Sequence, residues 1–263
     1  MTACPTLQLL FEKEGLPAFD LPATLRDCYG GGFGLAERCV YANFVASVDG
    51  VVALRTKEES GHIISGGNEA DRFVMGLLRA CADAVLLGAG TFRKAGGHLW
   101  HAEHIHPPAA PLFAELRRTL GLRPHPPLVV VTATGEIDPG EPALRDAIVV
   151  TTPAGEARLR GRLPPATRIE SGPIRLDALL DKLRREGYRR ILTEGGPTLA
   201  SQLAAEGLLD ELFLTRSARL FGRTAADGRK SLVEGVDLAG RDVELIGVHR
   251  HESFLFLRYA LGR

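Results

Sequence analysis

Between residues 189 and 199 the chain passes from a short apolar strand through two glycines directly into a helix. The strand ends at Glu194, Gly195 and Gly196 let a bound group approach the backbone, and Pro197 suits the first helical position. Free backbone amides and the positive end of the helix dipole make such a turn a site for a pyrophosphate. An ordinary strand-to-helix connection is the alternative interpretation. The segment therefore predicts an anion cradle with the Glu194 carboxylate in the same crevice.

Strand and helix patterns alternate along the chain, which predicts an α/β fold. Strands are predicted near 40–46, 83–88, 128–132, 147–151, 189–193, 209–217, 242–250 and 253–260, and helices near 68–82, 174–186 and from Pro197. The tight turn at His251-Glu252 predicts that the last two strands are antiparallel. We expect a mostly parallel central sheet flanked by helices, with an antiparallel C-terminal edge. Ligands of such sheets bind beyond the carboxyl ends of the strands.

Composition and charge narrow the class of protein. Of 263 residues, 45% are hydrophobic and 24% are charged, which are globular values. Lys plus Arg equals Asp plus Glu at 32 each, so no overall field attracts nucleic acid or an anionic membrane. Four cysteines without Cys-x-x-Cys spacing predict reduced thiols, and the missing targeting pattern predicts a cytoplasmic protein. Residues 1–38 have weak periodicity and end in a glycine-rich joint, which predicts a leader before one main domain over 39–263.

Two further segments place polar side chains directly after predicted strands. Residues 43–50 run into a turn with Asp49 at its tip, although Asp-Gly is also a favourable turn pair. Gly88-Ala89-Gly90-Thr91 repeats the order of strand, glycines and hydroxyl, but Arg93 stands where the dinucleotide fingerprint needs its third glycine. The standard Rossmann interpretation therefore fails. A Gly-x-Gly-Thr turn that can approach a flat ring or a phosphate remains.

The helix near 68–82 carries polar residues at both ends. Helix capping explains Asn68 and Asp71 in the first turn. Arg79 lies near the other end, where a cation complements the helix dipole.

Taken together, these clusters resemble the reductase domain of the riboflavin-biosynthesis deaminase/reductase family, whose fold is like that of dihydrofolate reductase. The similarity covers roughly residues 40 to 260 in the family's order. Its matching pieces are Ala46-Ser47-Val48-Asp49-Gly50, Leu78-Arg79-Ala80, Asp83-Ala84-Val85-Leu86-Leu87-Gly88, Gly90-Thr91, Thr193-Glu194-Gly195-Gly196-Pro197-Thr198-Leu199 and Gly207-Leu208-Leu209-Asp210-Glu211-Leu212. The combination is far more specific than any one piece.

The resemblance implies an NADPH-dependent reductase that converts 5-amino-6-(5-phosphoribosylamino)uracil to its ribitylamino form. It implies Glu194 and Asp49 as catalytic residues, and Asn43, Ser65, Arg79 and Glu194 as substrate contacts. It implies a cofactor site made of Val45, Gly88, Gly90, Thr91, Thr132, Gly195, Gly196, Pro197, Thr198 and Leu199, with Thr132 at the adenosine end. Arg93 and Arg158 are candidate partners for a 2′-phosphate. It further implies a homodimer with no nucleic-acid or membrane partner, and a stand-alone reductase, since no Pro-Cys-x-x-Cys segment of a zinc deaminase occurs.

Two departures from the family pattern keep the substrate open. Asn43 stands where the biosynthetic reductases commonly carry Lys, and residues 94–99 replace an Asp-Asp-Pro-Arg-Leu-Thr-like segment that helps recognise the sugar phosphate. A dihydrofolate or other pterin reductase is therefore the nearest alternative. A non-catalytic nucleotide-binding protein and a metal-dependent enzyme that uses the histidine-rich segment are the others.

Half of the eight histidines fall within nine residues, at His98, His101, His104 and His106. Their spacing permits a metal, but Glu103 is the only other ligand nearby and Pro107-Pro108 follow. We expect a mobile loop with some affinity for anions, and no metal site.

Overall fold

The computed structural model of the chain describes residues 4–56, 58–224 and 228–262. Within these ranges one sheet contains the strands β1 (Gln8–Glu12), β2 (Cys39–Ala46), β3 (Ala84–Gly88), β4 (Leu128–Thr132), β5 (Ile148–Thr151), β6 (Arg168–Ser171), β7 (Arg190–Thr193), β8 (Glu211–Arg216), β9 (Val243–His251) and β10 (Phe254–Leu261). The helices are α1 (Ala23–Tyr29), α2 (Ser60–Ser65), α3 (Glu69–Cys81), α4 (Ala89–Phe92), α5 (Ala102–Ile105), α6 (Ala110–Thr119), α7 (Pro153–Leu159), α8 (Leu176–Arg185) and α9 (Pro197–Ala205).

The strand order is β1-β9-β10-β8-β2-β7-β3-β4-β5-β6. Strands from β8 to β6 in this order run parallel, whereas β10, β9 and β1 pair antiparallel. β7 lies at the centre, where Ile191 pairs with Val40 of β2 on one side and with Ala84 of β3 on the other. The predicted α/β fold with an antiparallel C-terminal edge is confirmed.

The central strands are apolar on both faces because helices cover each side of the sheet. Successive residues of β7 alternate between two cores: Leu192 packs with α3 and α6 residues, and Ile191 packs with α8 and α9 residues. The four leucines of α8, at 176, 179, 180 and 183, are all buried. No helix in the described ranges has the length and apolarity needed to cross a membrane.

The predicted leader is part of the sheet and of the core. β1 pairs with β9, and Leu25 and Tyr29 of α1 are buried in the same core as the α3 residues. The prediction of reduced thiols is wrong for two cysteines, because Cys4 and Cys28 form a disulfide with their Cα atoms 6.0 Å apart. Cys39 and Cys81 are free and buried. The N-terminal segment lies next to α1 and so brings Cys4 and Cys28 together. Their separation of 24 residues in the sequence did not indicate this contact.

Candidate active site

A cavity of about 530 Å³ opens at the carboxyl ends of β2, β3 and β7. This is where the alternating fold places ligands, because the first turns of the following helices meet there. Its walls include Asn43 to Val45 of β2, Gly88 at the end of β3, Glu194 after β7, Asp71 in the first turn of α3 and residues 98–105.

The predicted cradle is formed by the turn between β7 and α9. Gly195 adopts a φ of +93°, and its peptide bond to Gly196 is cis. The carbonyl of Gly195 accepts a hydrogen bond of 2.8 Å from the Gly88 amide, which joins the two glycine turns. A Cβ on Gly196 would lie 3.0 Å from the Thr91 hydroxyl oxygen, whereas Gly90 faces open space. Because these glycines carry no side chain, the turns leave room for a flat or phosphorylated group beside the backbone. This geometry is compatible with the predicted dinucleotide.

Most of the predicted cofactor residues line this cavity: Val45, Gly88, Gly90, Thr91, Gly196, Pro197, Thr198 and Leu199. Gly195 shapes the turn behind them. Thr132 is not among the described lining residues. It is buried at the end of β4, where its hydroxyl accepts a hydrogen bond of 3.1 Å from the Gly135 amide and holds the following turn.

Glu194 is held by Arg79 through two parallel hydrogen bonds of 2.8 and 2.7 Å. Their side chains are 7% and 1% exposed, and Glu194 faces the cavity while Arg79 lies behind it. The placement of Arg79 as a substrate contact is therefore not supported. Nor does Arg79 bind the end of α3, because Arg117 donates to the carbonyls of Arg79, Ala80 and Ala82 there. The two bonds of the guanidinium fix the orientation of the Glu194 carboxylate.

His98 extends this pair toward the cavity. Its Nε2 lies 2.9 Å from Arg79 Nη1, so that nitrogen accepts and the ring is neutral. Burial, reinforced by the charge of Arg79, lowers the pKa of His98 far below its usual value. The same guanidinium contacts the carbonyls of Leu99 and His101. The histidine-rich segment is thus anchored to the site, which differs from the predicted mobile loop.

Asp71 is the site residue that sequence reasoning missed. Its amide donates to the Asn68 side chain at 3.1 Å, as the capping pattern predicted. The carboxyl group, however, is buried against the hydroxyls of Ser65 and Thr215 and faces the cavity. Burial raises the pKa of Asp71 to about 6, although both hydroxyls oppose this shift. A carboxyl group with this pKa can hold a proton near neutral pH and release it.

Two of the predicted substrate contacts, Asn43 and Ser65, line the cavity near Asp71. Glu59 lines it as well, and burial raises the pKa of its carboxyl group. Asn43 is buried on β2 and lines the cavity wall.

Asp49 lies outside the described cavity lining. Its carboxylate accepts hydrogen bonds from the Ser47 hydroxyl at 2.6 Å and from the amides of Phe221 and Gly222 at 3.2 and 2.7 Å. The bond from Ser47, with help from the two amides, lowers the pKa of Asp49 to about 2. These contacts tie the turn after β2 to residues 221–222, so the structure gives Asp49 a place in loop architecture and not next to Glu194.

Cations face the cavity from two loops. Lys94 donates to the Leu54 carbonyl at 2.7 Å, and Lys230 lines the same wall. Burial and the charge of Lys230 lower the pKa of Lys94. A bound anion would relieve this repulsion, which makes the pair a candidate phosphate contact.

Arg93 and Arg158 converge on Glu136, just beyond the turn that Thr132 holds. Arg93 donates to the Glu136 carbonyl at 2.9 Å and Arg158 to its carboxylate at 2.8 Å. The two predicted phosphate partners are therefore neighbours in the structure, on an exposed rim.

A glycine cradle at the carboxyl ends of parallel strands thus faces a buried acid and a fixed carboxylate, an arrangement that suits an α/β enzyme with a nucleotide cofactor. The family model described as the RibD C-terminal domain matches residues 38–250. The chain belongs to this family, as its sequence resemblance implied. It is also 31% identical over 179 residues to the 2,5-diamino-6-ribosylamino-4(3H)-pyrimidinone 5′-phosphate reductase of Archaeoglobus fulgidus, an alignment that covers 66% of this chain and 77% of the relative.

Solved structures share the fold at lower identity. A pyrimidine reductase-like protein from Corynebacterium diphtheriae superposes with a TM-score of 0.70 at 21% identity, covering 91% of this chain and 98% of that one. RibD of Acinetobacter baumannii gives a TM-score of 0.66 at 20% identity, covering 86% of this chain and 59% of that one.

Proposed function

We propose that this protein is a pyrimidine reductase of riboflavin biosynthesis that reduces a phosphoribosylaminopyrimidine to its ribitylamino form. One observation carries the proposal: the glycine cradle, Glu194 and the buried acid Asp71 share a single cavity. The family resemblance implies 5-amino-6-(5-phosphoribosylamino)uracil as the substrate. The Archaeoglobus relative is named for the 2,5-diamino form of the same compound.

The reaction adds two electrons and two hydrogens across one C=N bond. Opening of the ribose ring leaves an imine between the former anomeric carbon and the exocyclic nitrogen of the pyrimidine. A reduced nicotinamide held by the glycine turns at Gly88–Thr91 and Gly195–Leu199 would supply a hydride to that carbon, and the nitrogen would take up one proton. We assign the proton to Asp71, because its buried carboxyl group faces the cavity and burial raises its pKa to about 6, so that it can carry a proton and release it.

Glu194 has the complementary task of orienting the substrate. A carboxylate offers about four lone-pair positions, of which Arg79 occupies two. The remaining positions face the cavity and can accept hydrogen bonds from substrate N–H or O–H groups. Because Arg79 fixes the carboxylate, little orientational freedom is lost when substrate binds.

The phosphates have separate contacts in this proposal. Lys94 and Lys230 bind the substrate phosphate, in place of the cation that Asn43 removes from β2. The α9 turn binds the pyrophosphate of the cofactor, and Arg93 with Arg158 favours NADPH over NADH by binding its 2′-phosphate.

We further propose a homodimer that forms at the β1 edge of the sheet and works in the cytoplasm, where its cofactor is reduced. Leu10 and Phe11 of β1 are 49% and 45% exposed, and Val243 and Leu245 of β9 extend the apolar surface. An unpaired apolar edge strand is a ready site for pairing with a second copy. β1 forms this edge because it pairs with β9 and covers the three C-terminal strands.

The test is a steady-state assay of nicotinamide oxidation with the uracil and diaminopyrimidinone substrates, each with and without its phosphate, and with dihydrofolate. We expect turnover of a phosphorylated pyrimidine and none of dihydrofolate. Lys94→Met should raise KM for the phosphorylated pyrimidine about tenfold and leave KM for the dephosphorylated one unchanged, consistent with a lost charged hydrogen bond. Turnover of dihydrofolate alone, or cofactor binding without any turnover, would overturn the proposal. A rise confined to the cofactor KM would move Lys94 to the cofactor.

A further inference from the structure

Outside the reaction cavity, three metal-ligating side chains converge on one point. Glu103 Oε1 lies 2.9 Å from His125 Nδ1 and 3.5 Å from His101 Nδ1. Potential ligand atoms of all three residues lie within 4.8 Å of one another. The sequence showed only His101 and Glu103 together, because His125 is contributed by the connection between α6 and β4.

The spacing suits a small tetrahedral ion. Ligands at about 2.0–2.1 Å from Zn²⁺ in tetrahedral geometry stand about 3.4 Å apart, close to the two observed separations. The imidazole rings of His101 and His125 are stacked, with centroids 4.0 Å apart and planes inclined by 10°. An ion bonded to both imidazoles lies in the plane of each ring, so binding would turn at least one ring out of this stack while Glu103 keeps its place between the two nitrogens.

The ligand types also suit this ion. Two imidazole nitrogens and one carboxylate oxygen form a ligand set typical of Zn²⁺.

We propose that His101, Glu103 and His125 bind one divalent transition-metal ion of the Zn²⁺ class, with water in the remaining position. The three residues are not among those lining the reaction cavity, so the ion has no contact with substrate. Although His101-Ala102-Glu103 has His-x-Glu spacing, the chain has no Pro-Cys-x-x-Cys segment and the site is not that of a zinc deaminase. The proposal stands independently of the proposed reductase function.

The ion would restrict the motion of residues 98–106, which form one wall of the cavity. His98 and His104 of this wall face the cavity, and the His101 carbonyl accepts a hydrogen bond of 3.4 Å from Arg79. Fixing His101 and Glu103 to His125 ties the wall to the α6–β4 connection. Metal binding therefore stiffens the segment that supports the Arg79–Glu194 pair.

The test uses the full-length chain without a polyhistidine tag, stripped with chelator and titrated with Zn²⁺ by calorimetry and with Co²⁺ by visible absorption. We expect one ion per chain, the intense absorption bands of tetrahedral Co²⁺, and a rise in melting temperature of about 5 °C at 100-fold excess over Kd. His125→Ala and Glu103→Gln should each weaken binding by at least about tenfold. His251→Ala, a histidine on β9, should bind as the wild type does.

The metal-free melting temperature of each variant shows whether it is folded. A wild-type chain that binds neither ion would overturn the proposal and leave the cluster as a hydrogen-bonded network only. Stoichiometric binding that survives in the folded double variant His101→Ala/His125→Ala would also overturn it, because the ion would then sit elsewhere.

Discussion

Arg79 and Glu194 are 115 positions apart in the chain, and their side chains meet in a buried, two-bonded ion pair at the edge of the cavity. Arg79 comes from the last turn of α3 and Glu194 from the residue after β7. Truncating either partner would leave an uncompensated buried charge, at a cost of about 3–5 kcal/mol. The pair therefore couples the stability of the fold to the orientation of a site carboxylate.

Glu194→Gln keeps the shape of the side chain and removes its charge. Turnover per folded molecule should fall about 100-fold, because the substrate loses a fixed anionic acceptor, while cofactor affinity stays within about threefold of wild type. Steady-state kinetics and cofactor fluorescence titration measure the two effects, with exposed Glu206→Gln as the control. Unchanged kinetics would show that Glu194 has a structural role alone.

Asp71→Asn tests the proton donor. We expect kcat/KM of the wild type to fall above pH about 6 as Asp71 loses its proton. The variant should lose about 100-fold in activity and lack this limb of the pH profile. If the fall in kcat/KM above pH about 6 persists unchanged in the variant, another group is responsible for it.

The same substitution should also change how the free energy of unfolding depends on pH. The folded-state pKa of Asp71 is raised from 3.8 to about 6, so the folded state binds the proton more tightly than the unfolded state. The protonated Asp71 contributes about 3 kcal/mol to the free energy of unfolding of the wild type. This contribution is fully present below pH about 4 and is lost as the pH rises to about 6. Denaturant unfolding at pH 4 and pH 8 should show this loss in the wild type and in Asp242→Asn, an exposed control, and not in Asp71→Asn.

Gly196→Val should abolish cofactor binding. Its Cβ would lie 3.0 Å from the Thr91 hydroxyl, and the branched chain would project into the turn where α9 begins. Thr91→Ala removes one neutral hydrogen-bonding group and should cost about 1 kcal/mol of cofactor affinity. Gly32→Val, at a glycine whose Cβ would meet nothing within 4 Å, is the control for fluorescence titration. Normal binding by Gly196→Val would place the cradle elsewhere.

Arg158→Ala addresses the choice of cofactor. The ratio of kcat/KM for NADPH over NADH should exceed one in the wild type and fall about tenfold in the variant, because a guanidinium partner of the 2′-phosphate is lost. Arg160→Ala, which removes an arginine bonded to Glu156, should leave the ratio unchanged. Equal efficiency with NADH in the wild type would contradict the proposed role of both Arg93 and Arg158.

The β1 edge can be tested by light scattering at micromolar concentration. We expect a dimer for the wild type and a monomer for the double variant Leu10→Lys/Phe11→Lys, which places two charges on the apolar edge. Leu220→Lys changes a leucine that is 76% exposed away from β1 and should remain a dimer. A wild-type monomer would refute the interface.

Local patterns in the sequence predicted the elements that position the site. The strand at 40–46, the helix near 68–82 and the turn into α9 all occur where periodicity and Gly-Pro punctuation placed them. The family motifs led to Glu194 and to the glycine turns. The strands β1 and β6 and the helices α1, α2 and α4 to α7 were missed. β1 and β6 are short edge strands without alternating burial, and most of these helices are too short to show a helical period.

The errors at the site share one physical cause. Asp71 and Arg79 each have an adequate local explanation, as helix-end residues, that makes no reference to the rest of the chain. The contacts that bring them into the site include Thr215 for Asp71 and Glu194 for Arg79, each more than 100 positions away in the chain. A single sequence carries no signal for such contacts.

The pairing of β1 with β9 also sets an order for assembly. Gln8 lies opposite Arg250, a separation of 242 residues, so β1 is synthesised long before the strand that receives it. Until then its apolar residues have no sheet to join, and the antiparallel end of the sheet remains open to other chains. Completion of this edge is necessarily a late event in synthesis, and a chain arrested before β9 would expose its first strand to aggregation.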